Sequence, residues 1–319
     1  MSITVRAPAR VSVFLRVGSA GRDGYHDMAS LYQAVSLYDE VTAEAAEDFS
    51  VRFSGAVDTQ RIPQNANSIA VRAAKMLAEH TGVRQGVALS VLKRIPLGSG
   101  LGGASANVAG TLVACDELWG THVGKNVLSK IAAKLGPEIP FSIAGGTAVW
   151  SSEGKQFSPA LSKGKYHWVL AFTSATWEVA KVLRTLEQHR QQNHEYFRNT
   201  PKVVEIEAEV MQAIRQGDSE CLAQAMHNDL QVAAMKLDPE LGALLELGES
   251  RGALAGIVSG VGSTVAFLTD GITGAESLSR VLNAEGVATL IVNGPVSGAR
   301  RIDNLPETML TQPIPIRDR

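Results

Sequence analysis

The sequence predicts an α+β protein of two domains, and three observations carry that prediction. Its 319 residues are about twice a usual domain length. Apolar residues recur with period two in some stretches and at helical spacing in others, so strands and helices are both present. The second half reads strand–helix–helix–strand–turn–strand–helix–strand, a mixed order rather than a doubly wound one. The polar stretch Lys155–Lys165 separates a domain over residues 1–160 from one over 161–319.

Taken in order, Ile3, Val5 and Ala7 fall on one face and Val11, Val13, Leu15 and Val17 on another. With Pro8 between them this predicts two short strands meeting at a bend. GSAGRDG, residues 18–24, is a turn, with Asp23–Gly24 at its tip. Tyr32–Ala45 and Phe49–Phe53 read as strands, and Arg61–Asn67 as a loop. Ile69, Val71, Ala74, Met76 and Leu77 have helical spacing over Ser68–His80, with Ser68 as N-cap and Gly82 past the end. Val87–Leu92 is a strand. A glycine-rich stretch follows and opens into a helix that Gly120 ends. Val127–Leu135 is a short helix and Gly145–Trp150 begins a strand.

Beyond residue 160, Tyr166–Thr173 is a strand and Glu178–Gln191 a helix. The polar run EQHRQQNHEYFRNTPK, with His189 and His194, is a solvated loop or helix face rather than a metal site. Val203–Arg215, Glu220–Ala234 and Pro239–Ser250 read as helices, and Gly256–Leu268 as strand, glycine turn, strand. Gly274–Glu285 is a helix, Ala288–Val292 a strand, and the tail after Arg301 is extended and mobile. This half fits a ferredoxin-like arrangement.

Composition excludes several functions. Lys plus Arg is 30 and Asp plus Glu is 32, a net charge of −2, which gives no basic field for nucleic acid. Two cysteines, Cys115 and Cys221, build neither a disulfide framework nor a zinc site. The N-terminus carries charge early and has no apolar core of a signal peptide, and Gly252–Thr269 is too rich in Gly, Ser and Thr to span a membrane. A cytoplasmic protein is expected. His80, His122 and His167 have no partner signature, and the four tryptophans are scattered as packing residues.

Chemistry concentrates in PLGSGLGG. Gly98, Gly100, Gly102 and Gly103 lie after a strand and before a helix. Glycines allow close backbone approach to a ligand, and the helix N-terminus adds partial positive charge. This is a phosphate cradle. It is neither a Walker A loop, since no GK[ST] follows, nor a dinucleotide fingerprint.

PLGSGLGGASANVA, residues 96–109, closely resembles the phosphate-binding motif of the GHMP kinases. PARVSVFL (8–15) resembles their N-terminal strand motif and IVSGVGSTVAF (257–267) their C-terminal glycine motif. GRDGYHDM (21–28) with LYQAVSLYDEV, LGPEIPFSIAGGTA (135–148), HNDL (227–230) and GALAGIVSG (252–260) are similar to segments of one family within them, the 4-diphosphocytidyl-2-C-methyl-D-erythritol kinases.

The resemblance implies the GHMP kinase two-domain fold, with a ribosomal protein S5 domain 2-like N-terminal domain and a ferredoxin-like C-terminal one. It implies ATP and Mg²⁺ as cofactors. The implied activity is phosphorylation of the 2-hydroxyl of CDP-methylerythritol, in the methylerythritol phosphate route to isoprenoids. The partner is then a small molecule, with neither nucleic acid nor membrane involved. Pro96, Gly98, Ser99, Gly100, Gly102, Gly103, Ala104 and Ser105 would bind ATP, and Tyr25 and His26 would hold the cytosine. The family's Lys–Asp pair falls at Arg10 and Glu138, its nearby Asn at Ser12, and its loop Asp at Asn107. Ser105 and Glu138 would hold the metal.

Arg10 and Glu138 preserve charge sign but not geometry. Glu is longer by one methylene, and Arg spreads its charge over a planar fork that can hold phosphoryl oxygens bidentately. A second reading of the same replacements is a chain that binds nucleotide or a CDP-type ligand without turnover.

Overall fold

The computed structural model describes residues 2–21, 25–57, 59–60, 62–151, 156–174 and 177–303. The expected turn at Asp23–Gly24 and the tail beyond Asp303 lie outside the described residues.

The long N-terminal strand β1 (Ser2–Val17) is continuous, where two strands meeting at a bend were expected. It pairs antiparallel with β2 (Met28–Ala46). The register shifts between Pro8 and Ala9 and again between Ser12 and Phe14. The first bulge lets proline, which has no N–H to donate, stay inside the strand. From Ala7 to Leu15 every residue is buried, because this stretch is covered on both faces.

β3 (Ser50–Gly55), α1 (Ile69–Thr81), β4 (Gly86–Lys93) and α2 (Gly103–Trp119) follow at the expected places. Gly82 and Gly120 end their helices in the left-handed conformation, which costs glycine nothing sterically. Ser68 stands at the N-cap, but its side chain makes no capping bond. α2 is buried along most of its length between the sheet and α1. Gly110 makes that approach possible, since a Cβ there would lie 2.7 Å from the Val41 side chain.

α3 (Lys125–Ala133) is followed by α4 (Ile139–Ala144), β5 (Thr147–Ser151) and β6 (Gln156–Pro159). α4 and β6 were not expected; both are too short for any repeating pattern to reveal them. The first sheet orders β12-β1-β2-β4-β3, where β12 is Arg300–Arg301, with β5 beside β2, β6 beside β5 and β8 (His227–Asn228) beside β1.

The second sheet is built from β7 (Tyr166–Phe172), β9 (Ala255–Val258), β10 (Thr264–Thr269) and β11 (Thr289–Gly294), in the order β11-β7-β10-β9. All its pairings are antiparallel. Numbered within this half, the order is 4-1-3-2, the ferredoxin-like arrangement expected. Between β7 and β9 run α5 (Val179–Gln192), α6 (His194–Phe197), α7 (Ala208–Gln216), α8 (Ser219–Ala225), β8 (His227–Asn228), α9 (Gln231–Leu237) and α10 (Glu240–Ser250). α11 (Gly271–Ala284) joins β10 to β11. Leu241, Leu245, Phe267 and Leu278 form its core.

Two expected helices are shorter or broken. Residues 203–207 are not helical, and the Val204 amide donates to Asp27 Oδ2 at 2.8 Å instead. The helix expected over Glu220–Ala234 is interrupted because His227 and Asn228 pair in parallel with Phe14 and Leu15. β8 and the terminal β12 (Arg300–Arg301) both join the first sheet, so the C-terminal half is tied to the N-terminal one.

Candidate functional site

The glycine loop leaves β4 and enters α2. Gly98, Gly100 and Gly102 have φ of 65°, 77° and 77°, a region that side-chain-bearing residues rarely occupy. Gly100 is tight as well, since a Cβ there would stand 2.0 Å from the Ser259 carbonyl oxygen. Ser99 is buried and its hydroxyl donates to the Pro96 carbonyl at 2.8 Å, so it closes the loop from within. Gly102 is the N-cap of α2 and supplies no side-chain acceptor, and the first turn carries no acidic residue. The N–H groups of Gly103, Ala104 and Ser105 therefore start the helix without a capping side chain, an arrangement that favours an anion. Ala104 is exposed and Ser105 half-buried.

Arg10 reaches this loop from β1. Its amide donates to the Leu101 carbonyl at 2.9 Å. Its guanidinium lies beneath Gly102, where a Cβ would be 3.0 Å from Nη1. Nη2 is ion-paired with Glu138 Oε2. Glu138 is the N-cap residue of α4, but its side chain makes no capping bond and turns instead toward Arg10. Tyr32 completes the group: its hydroxyl donates to Glu138 Oε1 at 3.0 Å, and the Arg10 guanidinium carbon lies 4.6 Å from its ring centroid. Burial acts to lower the Arg10 pKa, yet Glu138 and Tyr32 more than offset it and hold it raised. Burial, with the Glu138 charge beside it, pushes the Tyr32 phenol up. Arg10 Nε and Nη1 are buried without a hydrogen-bond partner.

Ser12 is buried one step further along β1, and its amide donates to Ser259 Oγ at 3.3 Å. The turn after β9 is held by Asn228, whose Nδ2 donates to the carbonyls of Val258 at 2.7 Å and Gly260 at 2.8 Å. Thus Arg10, Ser12, Glu138, the glycine loop and the C-terminal glycine turn come together.

Behind the loop lies a fully buried ion pair, Lys93 with Asp39 Oδ2. Lys93 Nζ also donates to Asn107 Oδ1 at 3.1 Å, and Asn107 Nδ2 donates to Asp39 Oδ2 at 2.7 Å. Asp39 Oδ1 accepts the amides of Arg94 at 2.7 Å and Ile95 at 2.8 Å. The network therefore fixes both ends of the glycine loop, β4 on one side and α2 on the other.

Tyr25 and His26 sit elsewhere, at the far end of the β1–β2 hairpin. Tyr25 is exposed and His26 buried. His26 Nδ1–H donates to the Gly18 carbonyl at 3.0 Å, and that carbonyl also accepts from Arg190 Nη1 at 2.9 Å. His26 borders a cleft of about 560 Å³ against α5, lined also by Arg184, Glu187, Gln188 and Gln191.

Sequence reasoning missed Tyr32, Lys93, Asp39, Asn228 and Arg190. Lys93 carried a faint signal, a charge closing an apolar strand just before the loop. Among the described residues no three His, Cys, Asp or Glu side chains cluster as metal ligands, and no helix is long and apolar enough to cross a membrane. Cys115 is buried and Cys221 exposed, both as free thiols.

Comparison with known proteins places this geometry. Residues 68–149 match the model of the GHMP kinases N-terminal domain and residues 210–288 that of the GHMP kinases C-terminal domain. A 4-diphosphocytidyl-2-C-methyl-D-erythritol kinase of Leifsonia xyli subsp. xyli is 46% identical over 300 residues, covering 94% of this chain and 98% of that one. One of Pseudarthrobacter chlorophenolicus is 41% identical over 309 residues, covering 95% and 96%. Among solved structures, a 4-(cytidine 5'-diphospho)-2C-methyl-D-erythritol kinase superposes with a TM-score of 0.72 at 26% identity, over 92% of this chain and 100% of that one.

Proposed function

The chain belongs to the GHMP kinases, within them to the 4-diphosphocytidyl-2-C-methyl-D-erythritol kinase family, and on that premise we propose that it phosphorylates the 2-hydroxyl of CDP-methylerythritol with ATP. The observation that carries the reading is the buried Arg10, with two unpartnered nitrogens, set beneath an uncapped helix N-terminus. Buried nitrogens left without partners are costly, and a phosphoryl group would satisfy them.

ATP binds at residues 96–105. Magnesium arriving with it would be held by the phosphates, Ser105 and Glu138, and would neutralise charge there. The substrate hydroxyl lies beside Glu138. As its oxygen bonds to the γ-phosphorus, the bond from that phosphorus to the β,γ-bridging oxygen breaks and the hydroxyl proton passes to the Glu138 carboxylate. Arg10 stabilises the charge on the phosphoryl oxygens in flight, and Ser12 helps to place the substrate. Each Glu138 oxygen accepts one bond, and a carboxylate has capacity for more. Such chemistry depends on position and charge rather than on a covalent intermediate.

Substrate length supports the same reading. Five steps along β1 lead from Ser12 to Val17 beside the His26 loop, roughly 16 Å at strand spacing. That span suits a polyol joined through a diphosphate to a base held by Tyr25 and His26. The same reading divides the molecule near residue 160 and puts it to work in the cytoplasm.

The test is a panel assay: ADP release with MgATP and CDP-methylerythritol, homoserine or mevalonate. Turnover is expected with the first alone. Turnover only with another alcohol would overturn the proposed substrate. Tight binding of CDP-methylerythritol without ADP release would instead support a ligand-binding, non-catalytic chain.

A further inference from the structure

We propose that Tyr32 is a positioning residue for the phosphoryl transfer, clamping Arg10 and Glu138 into one rigid unit; this rests on the kinase reading above. Glu138 presents its carboxylate on a two-methylene arm, and a group on so long an arm needs both oxygens tethered to hold one position. One tether is Arg10 on Oε2 and the other is the Tyr32 hydroxyl on Oε1.

The Tyr32 ring does further positioning. Its face lies under the guanidinium, which fixes the plane of Arg10 and therefore the direction of the unpartnered Nε and Nη1. The ring is itself immobilised, 5.7 Å from Phe141 and 5.9 Å from Phe157 between centroids. Phe141 belongs to α4, the helix that Glu138 precedes. Tyr32 thus holds Glu138 through its hydroxyl and the helix beside it through its ring. Opposite Tyr32 in the sheet register stands Ser12, two residues from Arg10. One side chain consequently touches both members of the pair, from a strand rigidly paired on each side. With its proton held by burial, the phenol stays a donor throughout the working pH range.

Tyr32→Phe keeps the ring and removes only the hydroxyl. Wild type, Tyr32→Phe, Glu138→Asp and the double variant are compared in kcat and KM for both substrates, with thermal midpoints measured alongside. Tyr32→Phe is expected to lower kcat about tenfold, with both KM values unchanged. The shorter carboxylate arm of the Glu138→Asp variant would not reach the hydroxyl, so adding Tyr32→Phe to it is expected to change kcat little. Equal kcat in wild type and Tyr32→Phe, or the same loss in both backgrounds, would overturn the clamp while leaving the kinase reading intact. Absence of turnover in the wild type itself would overturn both. Should Tyr32→Phe fail to fold, Tyr32→His, which keeps a planar ring with a donor, takes its place: a kcat above that of Tyr32→Leu at equal KM supports the clamp, and equal rates contradict it.

Discussion

Arg10 gives one nitrogen to Glu138 and keeps two buried and unpartnered, which leaves donor capacity beneath the glycine loop. Two expectations follow at this scale. Glu138→Gln keeps shape but loses the charge that accepts a proton, so kcat should fall by about 10²–10⁴ with binding of CDP-methylerythritol, read by calorimetry, largely retained. Arg10→Lys replaces a planar fork with a point charge on a shorter reach; the ammonium no longer spans from Glu138 to the underside of the loop as the guanidinium does, and kcat should fall about a hundredfold, measured in the same ADP assay. The positions of Arg10 and Glu138 were legible in the sequence because each sits in a recognisable segment. Their geometry was not. Tyr32 and Glu138 are 106 residues apart, and Lys93 and Asp39 are 54 apart; strand register and the placement of α4 bring them together, and neither has a local signature. Ser99 shows the opposite limit. It lies in the motif, yet its hydroxyl is taken up by Pro96 inside the loop.

Elements with strong punctuation were read well from sequence, as Gly82, Gly120 and the glycine loop show. Elements made by tertiary contact were not. β8 exists only because it pairs with β1, and no pattern in HN announces a strand. That segment matters beyond its length. Asp229, just after it, accepts the Val17 amide at 2.7 Å and His227 Nε2–H at 2.6 Å, with Arg16 3.5 Å and Arg190 3.7 Å away. Burial acts to raise its pKa, but His227, the Val17 amide and Arg16 outweigh it and hold the carboxyl below its usual range. Its contribution is therefore present above the unfolded value of about 3.9 and is lost as pH falls through the lower folded one. Asp229→Asn should cost about 1–3 kcal/mol at pH 7 in urea unfolding, and its difference from wild type should close as the solution is acidified below that range. In the glycine loop, Gly100→Ala sets a methyl against the Ser259 carbonyl at a positive φ. The loop must shift, and the KM for ATP should rise about tenfold or more.

At the scale of the whole molecule, one mixed sheet carries the loop and Arg10, and a second antiparallel sheet carries the glycine turn that meets it. The order of elements in the second half pointed to a ferredoxin-like sheet, and its strands were legible because they are buried and regular. That order could not show that the chain returns to the first sheet at Arg300–Arg301. Buried acids set the response of the fold to alkali. Burial pushes the Tyr166 phenol up to about 12, and it also raises Cys115 and Tyr32. The native state keeps these protons when the unfolded chain has lost them, so stability is full below about pH 8.5 and falls as pH rises further. Thermal midpoints should drop steadily from about pH 9 to about pH 11, and Tyr166→Phe should lessen the drop. The proposed function requires that this Arg–Glu site transfer a phosphoryl group. A single-turnover experiment tests it most directly: enzyme in excess over CDP-methylerythritol and MgATP, quenched in time, with the product located by phosphorus NMR. A monophosphate on the 2-hydroxyl is expected, formed by wild type and suppressed in Glu138→Gln. Bound substrate recovered unphosphorylated from the wild type, or product formed equally fast by Glu138→Gln, would contradict it.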